Sequence, residues 1–394
     1  MNDIAELKQF AAVHARAQNL PEYRGLLDRI QVDAGDTPGS WVYEWSRVAE
    51  RYAARGRPLE ASRRWNMARF PFVDGPARQQ ALDRCVAAFD QWRRSSTDIE
   101  PLDVGLDGLD GGGRVRGWAS GLAPATAAGP GVDRRPVLLI MGGIVTPKEQ
   151  WAPALAALRR WGMAVVATEL PRVGQNTLRY TPESWRMLSG LLDAIADRAD
   201  VSRTYALALS FAGHLALRCA VEDRRIRGVV TTGAPVRELF TDAGWQRRLP
   251  RITRDTLAHL TGIPVAELPG RLGGWALSAD QLASLDIPVY YAASDRDEII
   301  PAGEVQLLRQ HVRDLHLVRQ DDVHGSPAHT TENRLWTAWS VLQMSGRLPV
   351  RRTLLRAVLA TLRARRWRPA AGNGRVRADR AVRAGRAGRA GTRR

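Results

Sequence analysis

Between residues 136 and 293 the chain alternates short, continuously apolar runs with segments of helical length, and no other feature restricts its fold so tightly. The runs are PVLLIMGG at 136–143, MAVVATE at 163–169 and TYALAL at 204–209, with further ones at 227–232 and 288–293. A strand that is apolar at every position has both faces buried, the pattern of a parallel sheet covered by helices on each side. Residues 151–161, 182–200 and 211–220 supply the intervening helices. The expected fold class is therefore α/β, a mostly parallel sheet, joined by a short strand at 315–318 and a strand pair at 99–121 around the glycine-rich loop 107–113. Such sheets bind ligands beyond the carboxyl ends of their strands, so the loops there are where chemistry is sought.

Before residue 98 strand alternation is nearly absent. Apolar and aromatic residues recur at helical spacing around Trp41, Trp45 and Tyr52, around Trp65, Ala68 and Phe70, and from Ala77 through Phe89 to Trp92. The organisation expected is a helical N-terminal or cap domain over 1–97 and a core over 98–347, interrupted by a helical cap insertion at about 238–286 that carries Phe240, Trp245 and Trp275. Together the helical pieces are expected to roof the sheet and shape an apolar pocket for a small organic substrate. Aromatic packing within the N-terminal helices accounts for their tryptophans without a ligand.

A net charge of +17 suggests a nucleic-acid partner until its position is considered. From Arg351 to Arg394 there are 15 arginines and one aspartate, so the preceding residues carry only +3. The basicity belongs to a tail rather than to a groove on the folded body. Residues 348–368 read as a basic amphipathic helix and 369–394 as a disordered Arg-rich tail. Such a tail suits at most a weak, non-specific anionic partner, and a homodimer stays open. The first twenty residues lack the features of a secretory signal and no apolar run reaches membrane-spanning length, so a cytoplasmic protein with no membrane-spanning segment is expected. Cys85 and Cys219, far apart in apparently helical segments, read as buried free thiols.

Ser210 sits between the run at 204–209 and the helix at 211–220. In the pattern G-x-S-x-G the serine occupies a cramped strand-to-helix turn that tolerates only small neighbours. Here Ala208 and Ala212 stand in the glycine positions and Gly213 is displaced by one. Taken alone, the segment reads equally well as a structural serine. The strand at 288–293 then runs into Asp295, Arg296 and Asp297, and the strand at 315–318 into the loop that holds His324. Serine, acid and histidine at successive strand ends fit a nucleophile, an orienting carboxylate and a general base. Asp295 competes with Asp297, and the spacing to Ile299-Ile300-Pro301 favours Asp297. His316 lies inside a strand and His329 beyond the loop, while His214 reads as a packing or cap-facing residue. The backbone N–H of Phe211 and one from Gly143 or Ile144 are placed to form an oxyanion hole. No ligand spacing for a metal and no phosphate or dinucleotide fingerprint is present, so no cofactor is expected.

The segments MGGIVTPKE at 141–149, ELPRVG at 169–174, TGAP at 232–235, SLDIP at 284–288 and DEIIP at 297–301, together with the serine turn, carry a resemblance. From about residue 40 to 345 the chain resembles the α/β-hydrolases of the group that includes the fermentation-respiration switch protein, its esterase-like relatives and the helical-capped carbon–carbon bond hydrolases. The resemblance implies a triad of Ser210, Asp297 and His324 and an oxyanion loop beginning at Gly142. Glu149, after Lys148, would be a helix cap, a salt-bridge partner or a pocket residue. Glu169 and Pro171-Arg172 replace an aspartate and a Pro-Gly pair of the group, which alters a loop near the pocket. The function implied is a serine hydrolase acting on a small or medium ester, thioester or activated ketone through an acyl-enzyme. An acyltransferase, cyclase or carbon–carbon hydrolase is the alternative, and a non-catalytic binding or regulatory protein of the same fold is the competing class.

Overall fold

The computed structural model describes residues 2–366 apart from 97, 110 and 127–132, and at its centre is one eight-stranded sheet. In chain order the strands are β1 (Glu100–Gly105), β2 (Arg114–Ser120), β3 (Pro136–Met141), β4 (Ala164–Thr168), β5 (Asp200–Ala208), β6 (Ile226–Thr232), β7 (Val289–Ser294) and β8 (Leu315–Gln320). They lie side by side as β1-β2-β4-β3-β5-β6-β7-β8. Neighbours from β4 across to β8 run parallel, whereas β1 and β2 are antiparallel. Every residue of β3 and β4 is buried, as their unbroken apolar sequence requires. This is the mostly parallel α/β sheet expected, with helices on both faces.

Among the described residues five helices precede the sheet: α1 (Ile4–Ala17), α2 (Tyr23–Arg29), α3 (Trp41–Ala54), α4 (Pro58–Ala68) and α5 (Pro76–Ser96). They build their own core, in which Trp41, Trp45 and Phe70 pack with Leu7, Leu20 and Leu26, so those tryptophans are structural. The later helices are α6 (Ala152–Leu158), α7 (Arg186–Asp193), α8 (Phe211–Glu222), α9 (Glu238–Thr241), α10 (Ala243–Arg248), α11 (Arg251–Thr261), α12 (Ala279–Ala283), α13 (Gly303–His311), α14 (Thr330–Ser345) and α15 (Pro349–Arg366). The helix expected over 182–200 is cut to α7, because the Asp200 N–H donates to the Arg135 carbonyl at 2.9 Å and the chain has already entered β5.

Helices α9 to α12 lie between β6 and β7, and the N-terminal helices meet them directly. The Glu6 carboxylate on α1 accepts the N–H groups of Arg251 and Ile252, at 2.8 and 3.0 Å. A carboxylate there satisfies donors that the first turn of α11 leaves unpaired and complements its dipole. Phe72 stacks on His259 of α11, with ring centroids 4.6 Å apart, and Ile252 is buried in the N-terminal core. Farther on, α15 buries Leu359 and pairs Arg363 with Glu332 at 3.0 Å, leaving Leu354 and Val358 exposed. The Arg-rich tail expected beyond 368 lies outside the described residues. Among the described residues no helix is long and apolar enough to cross a membrane.

Candidate active site

Ser210 stands two residues past the end of β5, at φ 55°, ψ −129°, a region that L-residues with a side chain avoid at a cost of roughly 1–3 kcal/mol. Strands on either side hold it there. The Leu209 N–H donates to the Met141 carbonyl at 3.0 Å and the Ser210 N–H to the Thr232 carbonyl at 2.9 Å. Ala208 and Ala212 are buried in place of the usual glycines, and the demand for glycine has moved to the next position. A methyl group on Gly213 would lie 2.0 Å from Thr231 Oγ1 and 2.8 Å from Ala234 Cβ. Gly213→Ala would add about 1 kcal/mol of helix propensity, yet overpacking against two strand-anchored groups costs about 1–3 kcal/mol. The variant is expected to melt below the wild type, which a thermal unfolding curve reads directly. An unchanged or higher midpoint would mean that α8 moves away from β6 without penalty.

From Ser210 a chain of polar contacts runs across three strand ends. Ser210 Oγ is 3.1 Å from His324 Nε2, and His324 Nδ1 is 3.0 and 2.9 Å from the two oxygens of Asp297. The Asp297 side chain is 4% exposed and its Oδ1 also accepts the N–H groups of Ile299 and Ile300 at 2.9 and 2.8 Å. Glu298 accepts the His324 N–H at 3.0 Å. Burial pushes the His324 imidazole toward its neutral form, but the Asp297 and Glu298 charges prevail and hold its pKa above the ordinary 6.5. Gly233, at φ 57°, packs edge-on: a methyl group there would meet His324 Cε1 at 2.9 Å.

The loop after β3 closes over the serine. A Cβ on Gly143 would lie 3.3 Å from Ser210 Cβ and 3.8 Å from Ser210 Oγ, so the backbone of this residue abuts the hydroxyl. The loop is a tight turn in which the Thr146 N–H donates to the Gly143 carbonyl at 3.0 Å. Gly142 has no room for a side chain, since a Cβ would sit 2.3 Å from that of Thr146. Phe211 N–H opens α8, where an amide has no intrahelical acceptor.

The other residues singled out in sequence have different places. Glu149 and Glu169 lie behind the loop that follows β3, both almost fully buried. Lys148 Nζ bridges them at 2.9 and 3.2 Å, Trp118 Nε1 donates to Glu149 at 2.9 Å, and Glu169 accepts the backbone N–H groups of Lys148 and Gln175. Glu149 thus serves as a salt-bridge partner rather than a helix cap. His214 lies buried against Phe240, 4.7 Å between centroids, with Nε2 2.7 Å from the Trp275 carbonyl. Asp295 turns to Arg319 at 2.8 Å, His329 pairs with Asp322 at 3.2 Å, and His316 stacks on Tyr290. Cys85 and Cys219 are free and buried, and burial pushes both thiols up to about 12. Among the described residues no group of three or more His, Cys, Asp or Glu side chains is placed to hold a metal.

Two residues of the N-terminal helices also bear on this site and escaped the sequence reading. The His14 imidazole on α1 is pushed down to about 4, first by burial and then by the charges of Arg69 and His324, so it is neutral beside them. Arg69, just past α4, is 2% exposed and donates to the carbonyl of Val145 in the loop that follows β3. Neither stands in a motif, and no local signal in sequence connects a helix before residue 70 with a loop near 145.

Comparison with known proteins places this geometry in context. The family profile described as esterase FrsA-like matches residues 12–319. The esterase FrsA of Pectobacterium atrosepticum is 25% identical over 332 residues, covering 77% of this chain and 74% of that protein. The esterase FrsA of Photobacterium profundum is 22% identical over 318 residues, 73% and 72% of the two chains. Among solved structures, AbyA5 wild type is 52% identical with a TM-score of 0.85, covering 92% of this chain and 100% of that one. The 2,6-dihydroxy-pseudo-oxynicotine hydrolase, 18% identical with a TM-score of 0.64 over 86% of this chain and 96% of that one, shares the fold.

Proposed function

The chain belongs to the FrsA-like esterase family of the α/β-hydrolase fold, and from that premise we propose that it is a serine hydrolase in which Ser210 attacks the carbonyl of a small or medium acyl substrate. One observation carries the reading: a serine in a strained strand-to-helix turn, 3.1 Å from an imidazole that a buried carboxylate grips from behind. Neutral His324 takes the hydroxyl proton at Nε2 as the Ser210 Oγ–carbon bond forms. Asp297 keeps the other proton on Nδ1 and stabilises the imidazolium. The N–H of Phe211, with that of Gly143 or Ile144, receives the developing oxyanion. His324 then returns its proton to the departing oxygen or sulfur, and water attacks the acyl-enzyme by the same steps in reverse.

A roof formed by the N-terminal helices and the α9–α12 insertion would bound the substrate, which suits an ester or thioester of modest size rather than a polymer. It also favours a second outcome: where that roof keeps water from the acyl-enzyme, a hydroxyl or amine of the substrate completes transfer or cyclisation with the same residues.

A broad fluorophosphonate tests the proposal. Wild-type protein is expected to gain one adduct by intact mass, mapped to Ser210 by peptide analysis. A folded protein that stays unlabelled by this probe and by a smaller sulfonyl fluoride would sink the nucleophile assignment. The pH profile supplies an independent check. Protonated His324 cannot accept the serine proton, so kcat/KM for 4-nitrophenyl acetate is expected to rise with pH through an inflection above 6.5 and then level off. A flat profile between pH 5 and 9 would remove His324 from the mechanism.

A further inference from the structure

Arg69 is an expensive residue for its location. Its guanidinium is buried, and its hydrogen bonds go to neutral oxygens: Nε and Nη2 to Asn66 Oδ1 at 3.0 and 2.7 Å, Nη1 to the Pro71 carbonyl at 2.9 Å, and Nη2 to the Val145 carbonyl. Among the described residues no carboxylate lies within ion-pair distance of it, and burial lowers its pKa to about 10. A cation taken out of water without a paired anion is costly, and an apolar side chain of similar volume would fill the space at lower cost. What an apolar side chain lacks is a rigid planar fork that reaches three separate backbone and side-chain acceptors at once.

Those acceptors join two parts of the molecule. Asn66 lies on α4 and Pro71 in the link from α4 to α5; Val145 is a central residue of the turn that lies against Ser210. Asn66 aims the guanidinium and is itself held, its Nδ2 donating to Gln18 Oε1 at 3.1 Å and to Gln150 Oε1 at 3.4 Å, just past the far end of the same loop. The loop is thus fixed at four places: by Glu169 at the Lys148 amide, by its own Thr146-to-Gly143 hydrogen bond, by Gln150, and by Arg69 on the Val145 carbonyl. Of these only the Arg69 bond acts on the peptide plane next to the turn amides from outside the loop.

We propose that Arg69 is a positioning residue for the oxyanion loop, the group through which the N-terminal helices hold residues 143–146 in the shape that acyl transfer uses. The N-terminal helices are then a part of the catalytic apparatus as well as a roof. This inference rests on the serine-hydrolase reading for its kinetic consequence and on the loop geometry alone for its structural one.

The test compares full-length wild type with Arg69→Met, Arg69→Lys and Asn66→Ala. Three quantities are read: kcat and KM for 4-nitrophenyl acetate, the affinity of an aryl trifluoromethyl ketone that forms a tetrahedral adduct on a nucleophilic serine, and amide hydrogen exchange over 142–147. A loop displaced by about 1 Å costs on the order of 100-fold in rate. Arg69→Met is therefore expected to lose about 10- to 100-fold in kcat with KM within about twofold, to weaken the ketone by the same factor, and to speed exchange in the loop. Arg69→Lys keeps the charge without the fork and is expected to resemble Arg69→Met; full activity in the lysine variant would overturn the clamp. So would Arg69→Met with kcat, ketone affinity and loop exchange all unchanged. Should Arg69→Met not fold, Asn66→Ala decides: faster exchange and weaker ketone binding support the clamp, and unchanged values overturn it. A wild type that neither turns over the ester nor binds the ketone would instead sink the serine-hydrolase reading, and the exchange measurement would still decide the clamp.

Discussion

Ser210→Ala is expected to lower kcat for 4-nitrophenyl esters by about a millionfold, the scale of losing a serine nucleophile in hydrolases that use this chemistry. On the serine-hydrolase reading the hydroxyl oxygen is the atom to which the acyl group would bond, and without it the remaining groups would have no nucleophile to activate. What survives is an oxyanion hole and a bound substrate, which together still exceed water by about 10³- to 10⁴-fold. Adding His324→Ala to Ser210→Ala is expected to cost almost nothing more, since a base without a nucleophile contributes nothing. Stability is expected to change little, because alanine occupies the same strained turn and gives up only the 3.1 Å contact with His324. Initial rates and a thermal melt on the two variants check this, and a Ser210→Ala protein with more than a hundredth of wild-type kcat would remove the acyl-enzyme from the mechanism.

Asp297→Asn is expected to cost about 10⁴-fold in kcat at neutral pH. The reason lies in which atoms face each other. Oδ1 accepts the amides of Ile299 and Ile300, so the oxygen of an asparagine amide is held there, shared with those donors, and its NH₂ takes the place of Oδ2, the oxygen nearer His324 Nδ1. A donor facing Nδ1 favours the tautomer protonated on Nε2, and that proton points at Ser210 Oγ where a lone pair is needed. The same substitution removes the first of the charges that raise the imidazole, so the inflection in kcat/KM is expected to fall as well. Asp295→Asn serves as the control: its carboxylate is committed to Arg319, and kcat is expected to stay within about twofold of wild type. If Asp295→Asn were the crippled variant and Asp297→Asn the active one, the orienting role would have to be reassigned.

The sheet was readable in sequence because a strand buried on both faces leaves an unbroken apolar run, and β3 and β4 are such strands. The geometry also brings Ser210, Asp297 and His324 together from beyond the ends of β5, β7 and β8, in the order in which they occur along the chain. Contacts between distant segments were not readable. Arg69 meets Val145, and Gly233 backs His324, without any periodicity to announce them. Sequence leaves open which of several roles Glu149 takes, and Lys148 and Trp118 around it make it a salt-bridge partner; the helix over 182–200 looks continuous until Asp200 is seen to pair with the start of β3.

The Glu6 carboxylate, seated on the first turn of α11, ties the start of the chain to a point some 245 residues later. The N-terminal helices and the insertion between β6 and β7 are therefore joined directly, through two hydrogen bonds to one carboxylate. A substitution at Glu6 is expected to be felt at the start of α11 as well as on α1.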